Sequence, residues 1–425
     1  MKTSSERMEN CQVALNVELE SSEKDKYIDL AFQHLAKEVT IPGFRKGKAP
    51  RTLIEKRLGK EAVIQEALEH LIPEVYEEAL KSEAIMAIAE PQIELVKIDP
   101  VTFKAIVPVK PNVTLGNYKD VRLAMEKKDI NDKEIDQVIE QLREQFGTLM
   151  PVERSVQYGD VVIIDIEGKR GDEAILNRKD AFYDVQRESK FPVPGFSEKL
   201  INLNKGAEEN FTLTFPQDFE ISELSGKEYS FIIKIKDIKE KNLPELNDEF
   251  AKTAGSENLN DLKEKIRTNL QSRVDEQARK EFENKLVGKL IEQSTLEFPP
   301  ILVEKEVDHI INEESRNFQD GIKGLENYLK NAKKTMEEHR GDLRPGAENR
   351  VKAYLIISKI AEAENVIVNE DELNHAVENM VKGDEKRADN VKALFDLPQP
   401  RESLRETMVI NKTMDLLTKK AVEST

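Results

Sequence analysis

The sequence predicts a multidomain α+β protein, because its hydrophobic pattern changes twice along 425 residues. Strand-like alternation and helical stripes are mixed over residues 1–112, a period of two dominates residues 150–243, and helical periods dominate residues 244–425. A chain of this length has room for two or three domains that each bury a core. We therefore expect an α+β N-terminal domain, a linker with a helix over 113–149, a β-rich domain and an all-α C-terminal domain.

Two strands are predicted in the N-terminal domain. Apolar and polar residues alternate over 13–19 and again over 101–109, as half-buried strands require. Pro, Asn and Gly become frequent over 110–117, which we interpret as the end of the domain. A charged helix is predicted to follow over 132–146.

Helices are predicted between these strands. Apolar residues fall at helical spacing over 28–39, and Ser22 and Asp25 before them can form a capping box. A second, longer helical stripe over 63–80 contains Pro73, which predicts a kink or a break because proline lacks the amide hydrogen.

A glycine-hinged basic loop follows the first predicted helix. It reads Gly43-Phe44-Arg45-Lys46-Gly47-Lys48-Ala49-Pro50. One interpretation is a plain surface turn that its charges keep soluble. The other is a binding loop, since exposure of the Phe44 ring to water is unfavourable and residues 45–51 contain no acid. A phosphate-binding P-loop is excluded, because only three residues separate Gly43 from Gly47 and a helix precedes them.

The middle of the chain is predicted to form a compact sheet with one short helix. Apolar residues alternate along three segments, 161–167, 211–215 and 231–235. Asp165 and Glu167 share one strand face and could act as an acid and a base, but no histidine partner is visible, which favours ordinary hydrogen-bonded carboxylates.

The C-terminal third is predicted to be helical and rich in charge. One stripe runs for about eight turns, with one step of three residues followed by steps of four: Leu259, Leu262, Ile266, Leu270, Val274, Ala278, Phe282, Leu286 and Leu290. Such a helix needs apolar partners, and further stripes follow over 301–311, 325–329 and 351–360. Burial in a helical bundle is the ordinary use of these faces.

Composition limits the function classes. The net charge is −17, from 65 basic and 82 acidic residues, which argues against general coating of nucleic acid and confines any attraction to RNA to a local tip. Cys11 is the single cysteine, so an intramolecular disulfide is impossible and a reducing compartment is expected. The first ten residues lack the apolar core of a secretory signal, so we expect a cytoplasmic chain without a membrane partner.

Metal and cofactor chemistry is not predicted. The histidines are spaced singly, without His-x-His or His-Glu-x-x-His patterns: His34, His70, His309, His339 and His375. We expect surface or hydrogen-bonded histidines, no metal site and no cofactor.

The basic loop, set between two predicted helices near the N-terminus, closely resembles the ribosome-docking signature of the bacterial trigger factor family. Five further segments resemble motifs of that family in the same order: Lys110 to Tyr118, Tyr158 to Asp165, Leu243 to Lys252, Phe298 to Glu304 and Asn349 to Tyr354. The resemblance implies a ribosome-docking N-terminal domain over 1–112, an inserted FKBP-like domain over 150–243 and a substrate-holding helical domain over 244–425.

The resemblance also implies partners and docking residues. The partners are the large ribosomal subunit at the exit tunnel, through ribosomal protein and rRNA, and nascent or unfolded polypeptides, and the free chain is expected to be able to dimerise. The docking residues implied at the loop are Gly43, Phe44, Arg45, Lys46, Gly47, Lys48 and Pro50.

An FKBP-like domain implies prolyl cis-trans isomerisation, which needs an apolar pocket more than acids or bases. Rotation of the X-Pro bond faces a barrier of about 20 kcal/mol. An apolar pocket lowers this barrier, because it raises the free energy of the dipolar planar amide relative to that of the twisted one. The matching positions are Phe196, Phe219, Phe231, Val193 and Ile175. Phe219 replaces the usual tyrosine and Ile175 the usual aromatic, and Leu176 stands where an acid is usual, so activity is expected to be weak or absent. Ordinary core packing of the three phenylalanines is the alternative.

The resemblance therefore predicts an ATP-independent, ribosome-associated chaperone with prolyl isomerase activity. A free prolyl isomerase and a ribosome-independent holdase or scaffold are the alternatives. Salt-sensitive ribosome binding separates the first prediction from both alternatives, and an isomerase assay separates the alternatives from each other.

Overall fold

A computed structural model describes residues 1–19, 21–41, 44–98, 100–126, 128–171, 173–217, 219, 224–382 and 385–422. The chain divides into two compact units, one formed by Met1–Glu126 with Arg279–Thr425 and the other by Lys127–Ala278. Among the described residues, no helix carries an apolar stretch long enough to cross a bilayer. Each unit has a core of its own, as the predicted multidomain α+β class requires.

A four-stranded antiparallel sheet forms the N-terminal part of the first unit. Its strands are β1 (Lys2–Met8), β2 (Gln12–Glu18), β3 (Gln92–Ile98) and β4 (Val101–Pro108), in the order β1-β2-β4-β3. The predictions of β2 and β4 are confirmed. The edge strands β1 and β3 escaped prediction because their side chains are mainly exposed, so neither shows an alternating apolar face. A short strand, β5 (Asn112–Thr114), follows in the segment that we interpreted as the domain end.

Three helices pack with this sheet: α1 (Ser21–Glu38), α2 (Arg51–Leu58) and α3 (Lys60–Ser82). Leu15 and Phe103 of the sheet are fully buried in one core with Leu71 of α3. Of the kink or break predicted at Pro73, the break does not occur: α3 continues through this residue, with Leu71 and Val75 buried on either side. The side chains of the predicted capping box, Ser22 and Asp25, lie outside the described residues.

The second unit is dominated by an antiparallel sheet. The elements that precede it and form it are α4 (Asp132–Gln145), β6 (Thr148–Pro151), β7 (Asp160–Arg170), β8 (Glu173–Asp184), α5 (Phe196–Leu200), β9 (Glu208–Thr214) and β10 (Glu228–Asn242). The strand order is β6-β10-β7-β8, with β9 also paired to β10. Val162, Ile164 and Ile166 are buried on one face of β7, as the alternation predicted. The helix α4 begins with a capping box in which Asn131 and Glu134 bond each other's backbone amides.

The remaining elements are helical, as predicted, except for one short strand. They are α6 (Asp248–Thr253), α7 (Leu259–Gln293), β11 (Thr295–Glu297), α8 (Ile301–Ser315), α9 (Ile322–Asn331), α10 (Met336–Ala363), α11 (Glu370–Met380), α12 (Glu385–Phe395) and α13 (Pro398–Ala421). The long stripe of α7 is buried near both ends, at Leu262 and Leu286, and only partly buried at Val274 in its middle. From Arg279 onward α7 packs in the first unit, where β11 pairs with β5.

Candidate functional site

The basic loop connects α1 to α2 and is held by its own backbone. The Gly47 amide donates to the Ala36 carbonyl oxygen of α1 at 2.7 Å, and the Lys48 amide donates to the Arg45 carbonyl oxygen at 3.0 Å. Gly47 has a φ of +82°, a backbone conformation that side chains with a Cβ rarely adopt. The loop therefore has a defined shape that depends on glycine at this position.

The side chains at the tip of this loop are exposed and, among the described residues, make no ion pair. Phe44 is 43% exposed, and Arg45, Lys46 and Lys48 are all exposed. Among the described residues, no carboxylate oxygen lies within 4.0 Å of the side-chain nitrogens of these three cations. An exposed aromatic ring and three uncompensated charges are thus presented together.

Arg51 differs from the three cations at the tip. Its guanidinium lies 2.7 Å from Asp29 of α1 and sits over the Phe32 ring, 5.3 Å from the ring centre. This arginine therefore anchors the base of the hairpin. The structure brings the predicted docking residues 44–48 and Pro50 into one loop, whereas Gly43 lies outside the described residues.

Two of the predicted isomerase residues lie in the centre of an aromatic cluster in the second unit. Phe196 and Phe231 are fully buried, with ring centres 5.6 Å apart and ring planes at 77°. Val193 is also fully buried. The fit is tight, since a Cβ at Gly168 would lie 2.8 Å from a Phe231 ring carbon. This arrangement fully accounts for these side chains as core packing.

Half-buried side chains cover that cluster. Phe211, which pairs with Phe231 across β9 and β10, stacks on it at 6.1 Å. Ile175 packs against the same core and is also only partly buried. Phe219 is partly buried too, but its ring packs 4.8 Å from that of Phe215 instead of on Phe196. The five predicted residues thus belong to one core, but only Phe219 and Ile175 reach its surface.

Two residues that the sequence did not single out fix the cluster. The buried Tyr183 ring packs on Phe196 at 5.1 Å. Its hydroxyl donates to the Phe191 carbonyl oxygen at 2.9 Å and lies 2.8 Å from the buried Ser197 hydroxyl. Phe211 was named only as part of an alternating strand. An aromatic residue opposite Phe231 on the neighbouring strand was the available signal for it.

The carboxylates of β7 are engaged in hydrogen bonds and ion pairs, as the simpler interpretation predicted. Asp165 accepts from the Asp180 amide at 2.8 Å and lies 3.0 Å from the Lys236 ammonium. The hydrogen bond from the Asp180 amide, and after it the contact with Lys236, hold the Asp165 pKa below its usual value. Glu167 lies 3.4 Å from Lys169. A paired carboxylate with a lowered pKa is a poor proton donor or acceptor near neutral pH.

The helical part of the first unit has an open groove with exposed apolar side chains. It runs between the end of α10, the segment 364–369 and α13. Ile367 is 75% exposed and Tyr354 is 48% exposed, and Val409 and Ile410 of α13 line the same groove. The groove thus combines exposed apolar side chains with polar and charged ones such as Glu362 and Arg405.

Comparison with known proteins agrees with the predicted family. Residues 1–142 match the family model described as bacterial trigger factor protein, and residues 258–419 match the model of its C-terminus. A trigger factor of Dehalococcoides mccartyi strain CBDB1 is 34% identical over 426 residues, which cover 100% of this chain and 95% of the relative. A trigger factor of Moorella thermoacetica is 36% identical over 98% of this chain and 94% of its own length.

A solved structure titled "Promiscuous Substrate Recognition in Folding and Assembly Activities of the Trigger Factor Chaperone" is 24% identical, with a TM-score of 0.49, and the match covers 99% of this chain and 100% of the other. Curated trigger factors align over nearly their whole length at 32–36% identity, which shows the family without this structure. The chain belongs to the bacterial trigger factor family of ribosome-associated chaperones.

Proposed function

We propose that the chain docks at the polypeptide exit of the large ribosomal subunit through the loop 44–50. The observation that carries this proposal is the exposed Phe44 beside Arg45, Lys46 and Lys48, none of which has a described carboxylate partner. Phe44 fills an apolar notch of ribosomal protein, and the cations pair with acidic side chains or rRNA phosphates. The cytoplasm is the compartment that this partner implies.

Charge distribution favours contact through the tip. The whole chain carries −17, so RNA repels its bulk, whereas residues 45–48 add three positive charges in one loop. Because only these few cations contact phosphate, we expect ribosome affinity to fall only moderately with salt concentration, with a slope that corresponds to at most a few phosphate contacts. Salt-independent binding would contradict this assignment.

Co-sedimentation with bacterial ribosomes tests the proposal. The variant Phe44→Ala/Arg45→Ala/Lys46→Ala should remain folded and lose binding. The matched control is Phe182→Ala/Arg178→Ala/Lys179→Ala, which removes the same exposed residue types from the second unit. Equal loss in both variants, or binding by neither the native chain nor the control, would reject the loop as the docking site.

We also propose that the helical part of the first unit holds unfolded polypeptides without using ATP. The groove beside Ile367 and Tyr354 offers exposed apolar side chains, which contact the apolar segments that unfolded chains display. Ile367→Ser with Tyr354→Ser should weaken the suppression of aggregation of an unfolded test protein. Met86→Ser, which removes an even more exposed apolar side chain elsewhere, should leave suppression unchanged.

For the second unit we propose weak prolyl isomerase activity. Phe196 and Phe231 offer no exposed surface, so a proline can reach only partly buried side chains around them, among them Phe211, Phe219 and Ile175. A proline-peptide isomerisation assay should show low activity that Phe219→Ala reduces and Phe182→Ala does not. If the native chain shows no activity, the unit serves as a folded spacer.

The domain division 1–112, 113–149, 150–243 and 244–425, and dimer formation by the free chain, complete the proposal. Limited proteolysis followed by mass spectrometry tests the bounds, since exposed linkers are cut first. Light scattering at several protein concentrations tests the dimer.

A further inference from the structure

Two histidines and a glutamate converge between α1 and α3, in a cluster that the proposed function does not use. His34 lies near the end of α1, and Glu66 and His70 lie one turn apart on α3. His34 Nδ1 is 2.6 Å from Glu66 Oε1, and His70 Nε2 is 3.2 Å from the same oxygen. The two ring nitrogens and the carboxylate oxygen, which are all possible metal ligands, lie within 4.8 Å of one another. In the described part of the chain this is the one group of three such residues found this close together.

We propose that His34, Glu66 and His70 form a site for a divalent transition-metal ion of the Zn²⁺ class. Two imidazole nitrogens and one carboxylate oxygen are ligands that Zn²⁺ accepts, and water can complete a four-coordinate ion. Mg²⁺ and Ca²⁺ prefer sites built from oxygen alone. The donor set therefore selects for a transition metal over the more abundant hard cations.

The arrangement without metal needs little change to accept an ion. Glu66 Oε1 accepts hydrogen bonds from both rings, so the two ring nitrogens already point toward the same place. A neutral imidazole carries one proton, which moves to the other ring nitrogen when the first binds metal, so no net proton is lost from a neutral ring. The ion then replaces the two hydrogen bonds.

The packing around the cluster favours a preformed site with access from solvent. Its carboxylate is held between the helices, since the Glu66 side chain is only 17% exposed, whereas those of His34 and His70 are 48% and 47% exposed. Ala31 of α1 and Leu71 of α3 are fully buried in the core that fixes the two helices. An ion can reach the ligands past the imidazole edges without opening that core.

A bound ion would join the helix that leads into the docking loop to the longest helix of the N-terminal part. His34 lies near the C-terminal end of α1, where a positive charge also interacts favourably with the helix dipole. The expected consequence is a more stable α1–α3 pair. Because the ligands lie outside the loop, the metal-site proposal can be rejected while ribosome docking is supported, and docking can be rejected while the metal site is supported.

Calorimetric titration of the metal-stripped full chain with Zn²⁺, and visible spectra with Co²⁺, test the site. We expect one tightly bound ion per chain and a nitrogen-ligated, low-symmetry Co²⁺ spectrum. Loss of even an outer partner of a ligand costs about 10- to 100-fold in metal affinity, so His34→Ala and His70→Ala should each weaken Zn²⁺ binding at least about tenfold. Mg²⁺ should not bind.

The variant Glu66→Gln separates a metal site from a purely hydrogen-bonded cluster. Glutamine still accepts hydrogen bonds from both rings but supplies no anionic ligand, so the chain should stay folded and lose Zn²⁺ affinity. His339→Ala is the matched control, because His339 contacts a single glutamate, Glu314, at 2.7 Å. Cys11→Ser controls for the single thiol.

Zn²⁺ should also raise the melting temperature of the native chain and both controls, but not that of the three ligand variants. Binding no stronger than that of Mg²⁺, or Zn²⁺ affinity unchanged by His34→Ala, would overturn the proposal.

Discussion

The basic loop and the central aromatic cluster both contain phenylalanine, but in opposite surroundings. Phe44 is exposed beside three cations that lack described carboxylate partners, whereas Phe231 has no exposed surface and contacts two other rings. The fold accounts for Phe231, because burial and ring packing stabilise the sheet. It does not account for Phe44. A residue whose own structure leaves it unexplained is the better indicator of a partner.

The largest difference between the two regions should appear in stability. Phe231→Ala removes a fully buried ring and should destabilise the second unit by about 3–5 kcal/mol, through lost burial and a residual cavity. Hydrogen exchange of the β7 and β10 amides, followed by mass spectrometry, reports this change in the full chain without requiring two-state unfolding.

The neighbouring residue provides the control. Ile232 lies on the same strand with 38% of its surface exposed, so Ile232→Ala should change protection much less. Equal losses for the two variants would show that the aromatic cluster is not the core that its packing indicates.

An intermediate effect is expected at the basic loop from Gly47→Ala. The φ of +82° costs a residue with a Cβ about 1–2 kcal/mol, and the hydrogen bond that the Gly47 amide donates to the Ala36 carbonyl oxygen depends on that conformation. We expect hydrogen exchange to quicken at the end of α1 and ribosome affinity to fall.

Gly288→Ala is the control for glycine replacement. This helical glycine has no atom within 4 Å of the added Cβ, so alanine should be neutral or slightly stabilising. A Gly47→Ala chain with unchanged affinity would mean that the loop does not need its observed shape for binding.

The two regions also differed in how well the sequence predicted them. The basic loop itself was predicted, because breakers and charges act locally and remain visible in a short window, whereas the docking role of its residues was implied only by resemblance. The strands β2, β4 and β7 were predicted from alternation, since one face of each is buried. For β3 that signal is missing, because all seven side chains are exposed and only pairing with β4 defines the strand.

Tertiary proximity explains the remaining differences. Phe196 and Phe231 were assigned to a pocket by resemblance, and only the packing of Phe211 and Tyr183 around them shows how little surface they retain. His34 and His70 are 36 positions apart and lie on different helices, so no spacing rule places them beside one glutamate. Sequence patterns report neighbours along an element, whereas these contacts depend on how elements pack.

Acid pH should reveal a smaller difference between the two regions, in how their stability depends on pH. The Asp165 carboxylate has a lowered pKa in the fold, so it contributes stability above its unfolded pKa that is lost as the pH falls through the lower folded value. Protection of β7 and β10 should therefore decline below about pH 4, and less so in Asp165→Asn. Arg45→Ala/Lys46→Ala should leave this profile unchanged, because neither loop cation pairs with a described carboxylate. A profile altered by the loop variant would reveal a partner for those charges within the chain.

The smallest structural effect is expected from Phe44→Ala, and it tests the comparison most directly. Since the ring is 43% exposed, its removal should change stability by no more than about 0.5 kcal/mol, as surface substitutions usually do. Ribosome affinity should nevertheless fall, because an apolar anchor contributes to binding only when its partner buries it. Hydrogen exchange along α1 and α2, measured beside co-sedimentation, separates the two readouts. Weakened protection with intact ribosome binding would mean that Phe44 packs on its own hairpin, and the contrast with Phe231 would then be one of degree.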